Sequence, residues 1–222
     1  MPAKQHAQLQ DSLSVTEIFH SIQGESSRVG LPTVFVRLTG CPLRCAWCDT
    51  AYAFSGGESL AIAEILQRVA AYNCITVCVT GGEPLAQNGC LPLLAALCDA
   101  GHSVSLETSG ALDIGGVDRR VARIVDLKAP GSRESEKNRW ENIGLLTATD
   151  ELKFVLASRN DYDWAVLTCR QHRLFECCPV LFSPVQGQLD PAHLAQWILD
   201  DHLPVRFQLQ LHKLLWGAAK GR

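Results

Sequence analysis

Cys41-Pro-Leu-Arg-Cys45-Ala-Trp-Cys48-Asp-Thr50 is the stretch from which both the chemistry and the fold can be worked out. It spaces three cysteines as C-x3-C-x2-C, so one short loop carries three thiolates. Three thiolates can bind three irons of a cubane cluster and leave the fourth iron open to a small molecule. A structural zinc site needs four ligands, commonly two C-x2-C pairs, and the sequence has no second pair at that spacing. The spacing therefore predicts an open cluster site rather than incidental cysteines.

The composition around this loop is that of one globular chain with a sizeable core. The 222 residues are 47% hydrophobic and 19% charged, with a net charge of -3. That charge predicts no nucleic-acid partner, and the apolar runs are too short to predict a membrane span. No basic and apolar secretory leader opens the chain, so we expect a cytoplasmic protein. Its ten cysteines are then reduced thiols rather than a disulfide framework.

Short β-branched segments alternate with helical patterns along the chain. Residues 75–79 have the pattern of a strand, and residues 59–71 have apolar side chains at helical spacing. Alternation at this pace predicts βαβ units and a parallel sheet. A complete eight-unit barrel takes about 250 residues, so the sequence favours an α/β fold that is a partial, open TIM-like βα barrel of about six units. We place this single domain at residues 13–222, after a mobile tail of residues 1–12.

Polar motifs follow three of the predicted strands. They are Gly81-Gly-Glu-Pro84, Glu107-Thr-Ser-Gly110 and Asp126-Leu-Lys128. Folds of this class bind ligands at the carboxyl ends of parallel strands, and paired glycines let a ligand approach the backbone closely. On local grounds alone, the second and third motifs could equally be solvated loops. Arg37, on an earlier predicted strand, is suited to gripping a carboxylate.

Taken together and in this order, the motifs resemble those of the radical S-adenosylmethionine (SAM) superfamily and, more closely, of the 7-carboxy-7-deazaguanine synthase family. The resemblance spans residues 14–222 and is also carried by Ile22-Gln-Gly-Glu25 and Gln210-Leu-His-Lys-Leu-Leu-Trp216. It implies a radical SAM core that converts 6-carboxy-5,6,7,8-tetrahydropterin into 7-carboxy-7-deazaguanine, on the route to queuosine, with ring contraction and loss of ammonia. It further implies a 4Fe–4S cluster, catalytic use of SAM, Mg2+, an electron donor such as flavodoxin or ferredoxin, and a homodimer.

The resemblance also implies roles for individual residues. The cluster would be held by Cys41, Cys45 and Cys48, and Mg2+ by Thr50. The residues facing SAM would be Trp47, Cys48, Asp49, Gly82, Ser109, Asp126, Leu127, Lys128, Ser183, Pro184, Val185 and Gln186. The residues lining the pterin pocket would be Ile22, Gln23, Gly24, Glu25, Arg37, Thr80, His212 and the terminal Arg222.

Two other functions stay open at this level. The Asp-Leu-Lys motif is also similar to that of radical SAM activases, which act on a partner protein and would need a docking groove instead of a closed pocket. The Gln-Gly-Glu loop and the histidine-containing terminus argue against that alternative. A zinc or iron–sulfur module without catalysis is the non-enzymatic alternative, and a cluster spectrum that shifts on adding SAM would exclude it.

Overall fold

One open sheet organises the fold of the computed structural model, which describes residues 12–217, 219 and 221. The described residues form nine strands: β1 (Ser12–Ile22), β2 (Pro32–Leu38), β3 (Glu58–Ala61), β4 (Thr76–Gly81), β5 (Ser103–Thr108), β6 (Ala122–Asp126), β7 (Glu151–Leu156), β8 (Val180–Pro184) and β9 (Arg206–Phe207). Their order across the sheet is β3-β1-β2-β4-β5-β6-β7-β8-β9. β2 and the six strands β4 to β9 run parallel to one another. The edge strands β3 and β9 do not pair with each other, so the sheet stays open. The predicted partial, open α/β barrel is confirmed.

Helices cover the outer face of this sheet and build the core with it. They are α1 (Ile62–Ala70), α2 (Cys90–Asp99), α3 (Arg159–Gln171), α4 (Pro191–Asp200) and α5 (Leu211–Trp216). Each of the first four buries apolar side chains at helical spacing, such as Leu93, Leu94 and Leu97 of α2. These residues join the strands in one continuous apolar cluster. In the described part of the chain, every helix is too short or too polar to cross a bilayer.

The sheet departs from the sequence prediction at one edge. β1 is antiparallel to both β2 and β3, so the sheet is mixed rather than wholly parallel. The helix predicted for residues 59–71 begins only at Ile62, because residues 58–61 pair with β1 as an edge strand. Leu60 fits the helical spacing, but it is buried opposite Leu13 in this strand pair. A short strand leading into a helix shares its apolar residues with the helical pattern, so spacing alone misplaced the boundary.

The alternation of side chains along β7 shows how the sheet separates core from cavity. Leu152, Phe154 and Leu156 are buried in the apolar cluster. Lys153 and Val155 point to the opposite, inner face, where they line a cavity. The same period of two along the neighbouring parallel strands turns polar side chains inward, and this places a polar site inside an otherwise apolar fold.

Candidate active site

A cavity of about 740 Å³ lies against the inner face of the sheet, and we call it the interior cavity. The loop after β1 lines one end, the cluster loop, residues 41–50, lines the other, and residues of α5 contact both loops. The predicted site residues that line it are Ile22, Gln23, Gly24, Glu25, Arg37, Cys41, Cys45, Trp47, Cys48, Asp49, Thr50, Thr80, Gly82, Ser109, Asp126, Lys128, Val185, Gln186 and His212. Leu127, Ser183 and Pro184 are buried outside this lining, and Arg222 lies outside the described residues. The fold thus brings together sequence motifs that are far apart in the chain.

The cluster loop is fixed by backbone contacts on both sides of its cysteines. Gly40 enters it with a φ of +94°, a left-handed conformation that favours glycine, and its amide donates to the Ala53 carbonyl at 2.8 Å. The amide of Ala46 donates to the carbonyl of Ser132 at 3.0 Å. The guanidinium of Arg44 donates to the Cys41 carbonyl at 2.7 Å. The loop therefore has a defined path, with Cys41 and Cys45 half-buried and Cys48 exposed.

A lysine ammonium lies close to one of the three cysteine thiols of the cluster loop. Burial raises the pKa of the Cys45 thiol, while the nearby Lys128 ammonium acts in the opposite direction by stabilising the thiolate. Metal binding requires the thiolate form, which this cation favours. Within the described ranges, no three His, Cys, Asp or Glu side chains converge on a single metal ion. Three cysteines on one loop are the donor set that three irons of a cubane would use, each thiolate on a separate iron.

The glycine turn after β4 packs directly on the cluster loop. A Cβ added at Gly82 would overlap the Gly40 carbonyl and would lie 2.8 Å from Cβ of Cys41. Glu83, which is 0% exposed, accepts hydrogen bonds from the Leu85 amide at 3.0 Å, the Ser109 amide at 2.7 Å and the Thr108 hydroxyl at 2.9 Å. The carboxylate therefore ties the glycine turn to the motif after β5. The hydroxyl of Ser109 also donates to Glu83, so this side chain supports the turn from within.

A polar network lies where the loop after β1 meets the inner strand residues. The side-chain amide of Gln23 donates to Glu107 Oε1 at 3.2 Å, and the Thr80 hydroxyl donates to Glu107 Oε2 at 3.0 Å. The side-chain amide of Gln210 donates to Glu25 Oε1 at 2.7 Å. Groups from β4, β5, the first loop and the segment before α5 thus meet in one place. They offer both donors and acceptors to a planar polar ligand.

Arg37 is already paired within the protein. Its Nε donates to Glu17 Oε1 at 2.7 Å, and the Tyr52 hydroxyl donates to the same oxygen at 2.7 Å. The guanidinium carbon lies 5.7 Å from the ring centre of Phe19 and 5.9 Å from that of Tyr52. These contacts fix the plane of the guanidinium at the cavity wall. An anion in the cavity would therefore meet an oriented cation rather than a free side chain.

The segment around α5 connects the two ends of the interior cavity. The Leu211 amide donates to the Gly24 carbonyl at 3.0 Å, and Gly24 has no room for a Cβ because His212 lies against it. At the other end, Lys213 Nζ lies 2.8 Å from Asp49 Oδ2. Burial opposes ionisation of Asp49, but Lys213 holds the pKa of this carboxyl well below its usual range. The C-terminal segment thus links the first loop to the cluster loop.

Two buried polar atoms on this side of the sheet have spare hydrogen-bonding capacity. Among the described residues, Asp126 Oδ1 and the Ser183 hydroxyl have no hydrogen-bond partner. The other carboxylate oxygen of Asp126 lies 3.0 Å from Lys128 Nζ. Buried polar atoms are normally paired, so an unpaired carboxylate oxygen at the cavity wall is suited to binding a polar ligand such as a ribose hydroxyl.

Three polar residues at or beside the cavity escaped the sequence analysis. Glu17, Tyr52 and Lys153 line or support it through contacts with residues more than fifteen positions away. Lys153 does carry a signal, because it lies between Leu152 and Phe154 in an apolar strand. A lysine in a strand that is covered on both faces is rarely buried without a partner. Glu17 and Tyr52 carry no comparable local signal.

Comparisons with known proteins agree with this geometry. The profile of the Radical SAM superfamily matches residues 35–174. A 7-carboxy-7-deazaguanine synthase of Chlorobaculum tepidum is 49% identical over 92% of this chain and 94% of its own. The enzyme of the same name from Koribacter versatilis is 42% identical over 92% of this chain and 97% of its own. The crystal structure of QueE from Escherichia coli superposes with a TM-score of 0.76 at 21% identity, covering 94% of this chain and 99% of that one.

The open βα sheet, the three-cysteine loop and the glycine turn packed against it define a radical SAM enzyme. Within that class, identities of 49% and 42% over nearly the whole length of two curated relatives exceed what fold similarity alone produces. The chain belongs to the 7-carboxy-7-deazaguanine synthase family. The family predicted from the sequence motifs is confirmed.

Proposed function

We propose that this enzyme converts 6-carboxy-5,6,7,8-tetrahydropterin into 7-carboxy-7-deazaguanine in the interior cavity, with ring contraction and loss of ammonia. The observation that carries the proposal is the convergence of the cluster loop, the glycine turn and a separate polar network on one cavity. A cavity of about 740 Å³ has room for two ligands of this size side by side. Its enclosure by α5 suits a small molecule better than a partner protein, so nothing here favours the activase alternative.

At the cluster end, Cys41, Cys45 and Cys48 would hold a 4Fe–4S cluster whose fourth iron binds SAM. When bound, the cluster and SAM supply the one-electron chemistry that abstracts a hydrogen atom from the substrate. Gly82 lets this turn pack directly on the cluster loop, next to where SAM would bind, and Glu83 holds the turn in place. The remaining SAM contacts would come from the predicted residues that line the cavity, namely Trp47, Asp49, Ser109, Asp126, Lys128, Val185 and Gln186, whereas Leu127, Ser183 and Pro184 lie outside its lining.

At the other end, the polar network would orient the pterin. Glu25 and Glu107 would accept hydrogen bonds from ring N–H groups, and Gln23 and Thr80 hold Glu107 in position. Arg37 would bind the substrate carboxylate through its terminal nitrogens, because Glu17 engages Nε. His212 and Gly24 pack together at the boundary of this end, where Ile22 and Arg222 are further expected contacts.

We further infer that Thr50 helps to bind Mg2+ beside the substrate. Its hydroxyl lines the cavity and donates to Asp49 Oδ1 at 2.9 Å, so hydroxyl and carboxylate oxygens lie together as a hard cation prefers. A cytoplasmic homodimer that receives electrons from a flavodoxin or ferredoxin, with residues 13–222 as its catalytic domain, completes the proposal.

Product analysis tests the function. The protein would be reconstituted with iron and sulfide without oxygen, reduced, and given SAM, Mg2+ and the carboxytetrahydropterin. We expect mass spectrometry to detect 7-carboxy-7-deazaguanine. Cys45→Ala should lose the cluster and all product because one iron loses its ligand. Cys98→Ala is the matched control, since Cys98 is a half-buried thiol of α2 outside the cavity lining.

Each outcome of this assay has a defined meaning. Product that depends on Cys45 but not on Cys98 supports the proposal. If SAM were cleaved to 5'-deoxyadenosine without formation of a deazaguanine, the substrate assignment would be wrong and a partner-protein substrate would be tested next. Omission of Mg2+ without any loss of rate would overturn the role of Thr50 alone.

A further inference from the structure

Lys153 is a buried lysine that lines the interior cavity and that none of the roles above includes. It is 8% exposed and lies on the inner face of β7. Its ammonium donates to Glu25 Oε2 at 2.5 Å and lies 3.6 Å from Asp126 Oδ2. These two carboxylates come from different parts of the chain, the loop after β1 and the end of β6. One ammonium therefore bridges two walls of the cavity.

The bridge belongs to a row of alternating charges across the cavity. Glu25 is followed by Lys153, then Asp126, then Lys128, whose ammonium lies 3.0 Å from Asp126 Oδ2. The row contains two carboxylates and two ammonium groups, so its net charge is zero. Removing Lys153 would leave two carboxylates facing each other across the cavity with only Lys128 to balance them.

Burial makes this arrangement costly unless each charge keeps its partner. A buried ammonium without a counter-charge is strongly destabilised, and so is a buried carboxylate. Burial lowers the pKa of the Lys153 ammonium, but Glu25 and Asp126 outweigh that effect and raise it well above its usual value. Burial raises the pKa of Glu25, but Lys153 outweighs it and holds the carboxyl ionised. Each group thus keeps the other charged at neutral pH.

We propose that Lys153 is a positioning residue that holds Glu25 on the pterin side and Asp126 on the SAM side in one fixed arrangement, so that both ligands depend on a single ammonium. The inference rests on the proposed function, which assigns these carboxylates to different ligands. One oxygen of Glu25 accepts a hydrogen bond from Gln210 and the other accepts one from Lys153, so replacing the lysine removes one of these two hydrogen bonds. Asp126 loses one of its two cations by the same change.

The test compares three single variants by their ligand affinities. Lys153→Met keeps the length of the side chain and removes its charge. We expect it to weaken the binding of both SAM and the pterin by at least about tenfold, the cost of one lost charged hydrogen bond. Glu25→Gln should weaken only the pterin, and Asp126→Asn only SAM. Anaerobic calorimetry on the reconstituted, unreduced protein measures both dissociation constants without turnover.

Arg123→Met is the matched control for stability. Arg123 forms an equally buried ion pair with Asp150 beside the same two strands, β6 and β7, with Nη2 2.6 Å from Oδ2. Neither residue lines the interior cavity. Arg123→Met should therefore lower the melting temperature as Lys153→Met does and leave both affinities unchanged. If Lys153→Met weakened only one ligand or neither, the bridging role would be overturned.

A charge-balanced variant keeps the proposal testable if Lys153→Met does not fold. Lys153→Met combined with Glu25→Gln removes both partners of the closest pair, so no buried charge is left unpaired there. We expect this double variant to bind SAM more weakly than Glu25→Gln alone. Equal SAM affinity in these two proteins would overturn the proposal.

The unmodified protein separates this inference from the proposed function. If it binds SAM but not the pterin and forms no deazaguanine, the proposed function fails. In that case the effect of Lys153→Met on SAM affinity still tests the link to Asp126. If the unmodified protein binds both ligands and forms product while Lys153→Met binds them equally well, only the inference fails.

Discussion

Two carboxylates beside β6 and β7, Asp150 and Asp126, differ sharply in how their hydrogen-bonding capacity is used. Asp150, just before β7, is 1% exposed and accepts hydrogen bonds from Arg123 and from the amide and hydroxyl of Thr147. Both of its oxygens are used. Asp126, at the end of β6, meets two ammonium groups through one oxygen, and its other oxygen has no hydrogen-bond partner among the described residues.

This difference indicates that Asp150 has a structural role and that Asp126 has an oxygen available to a ligand. Asp150 does not line the interior cavity and both of its oxygens are bonded by the protein, so it is not placed to bind a substrate. A buried carboxylate oxygen without a donor costs free energy that only an added polar group can recover. Asp150 therefore marks the structural end of these strands, and Asp126 marks the ligand-binding end. Three sets of substitutions can show whether the two ends are as distinct as their contacts indicate.

Gly82→Ala should have the largest effect, because it disturbs the contact between the glycine turn and the cluster loop at the ligand-binding end. The added Cβ would overlap the Gly40 carbonyl and displace the cluster loop from the glycine turn. We expect SAM cleavage to fall at least about a hundredfold, as small displacements of reacting groups can cause. The rate of 5'-deoxyadenosine formation measures it. Gly144→Ala is the control, since a Cβ there meets nothing within 4 Å, and equal rates in both variants would contradict this expectation.

Glu83→Gln and Asp150→Asn form the second test. Each change replaces a buried acceptor of several hydrogen bonds by a group that is partly a donor. We expect both variants to lose about 2 kcal/mol in the free energy of unfolding, measured with urea. Only Glu83→Gln should also weaken SAM binding, because Glu83 ties the glycine turn to Ser109. An Asp150→Asn protein with impaired SAM binding would show that the two ends of the strands are not separable.

The smallest effect concerns pH at the structural end. Burial opposes ionisation of Asp150, but Arg123 and Thr147 outweigh it and lower the pKa from its ordinary value of 3.8. A carboxyl whose pKa is lower in the folded than in the unfolded protein stabilises the fold at pH values above its unfolded-state pKa. This stabilisation is lost as the pH falls through the folded-state pKa. The stability difference between the unmodified protein and Arg123→Met should therefore be full at pH 7 and shrink below about pH 3.8. Urea unfolding over this range measures it, and a difference that grew on acidification would contradict the assignment.

Features that depend on residues close together in the chain could be predicted from the sequence. The three-cysteine loop and the glycine turn are each local, so the spacing of their residues was enough to name them, and the alternating strands and helices indicated the open sheet. The edge strand β3 was missed because Leu60 suits both a strand and the helix that follows. The charge row through Lys153 and the Arg37–Glu17–Tyr52 contacts could not be predicted, since they depend on which distant side chains meet on the inner face.

A crystal structure of the reconstituted protein with SAM and the carboxytetrahydropterin, grown without oxygen, would test these conclusions together. We predict a cluster on Cys41, Cys45 and Cys48, with both ligands in the interior cavity and Asp126 Oδ1 hydrogen-bonded to SAM. The contacts of Asp150 should be unchanged. Ligands bound outside the cavity, or an Asp126 Oδ1 that stays unpaired beside bound SAM, would contradict the conclusion that unsatisfied buried charge marks the functional end of this sheet.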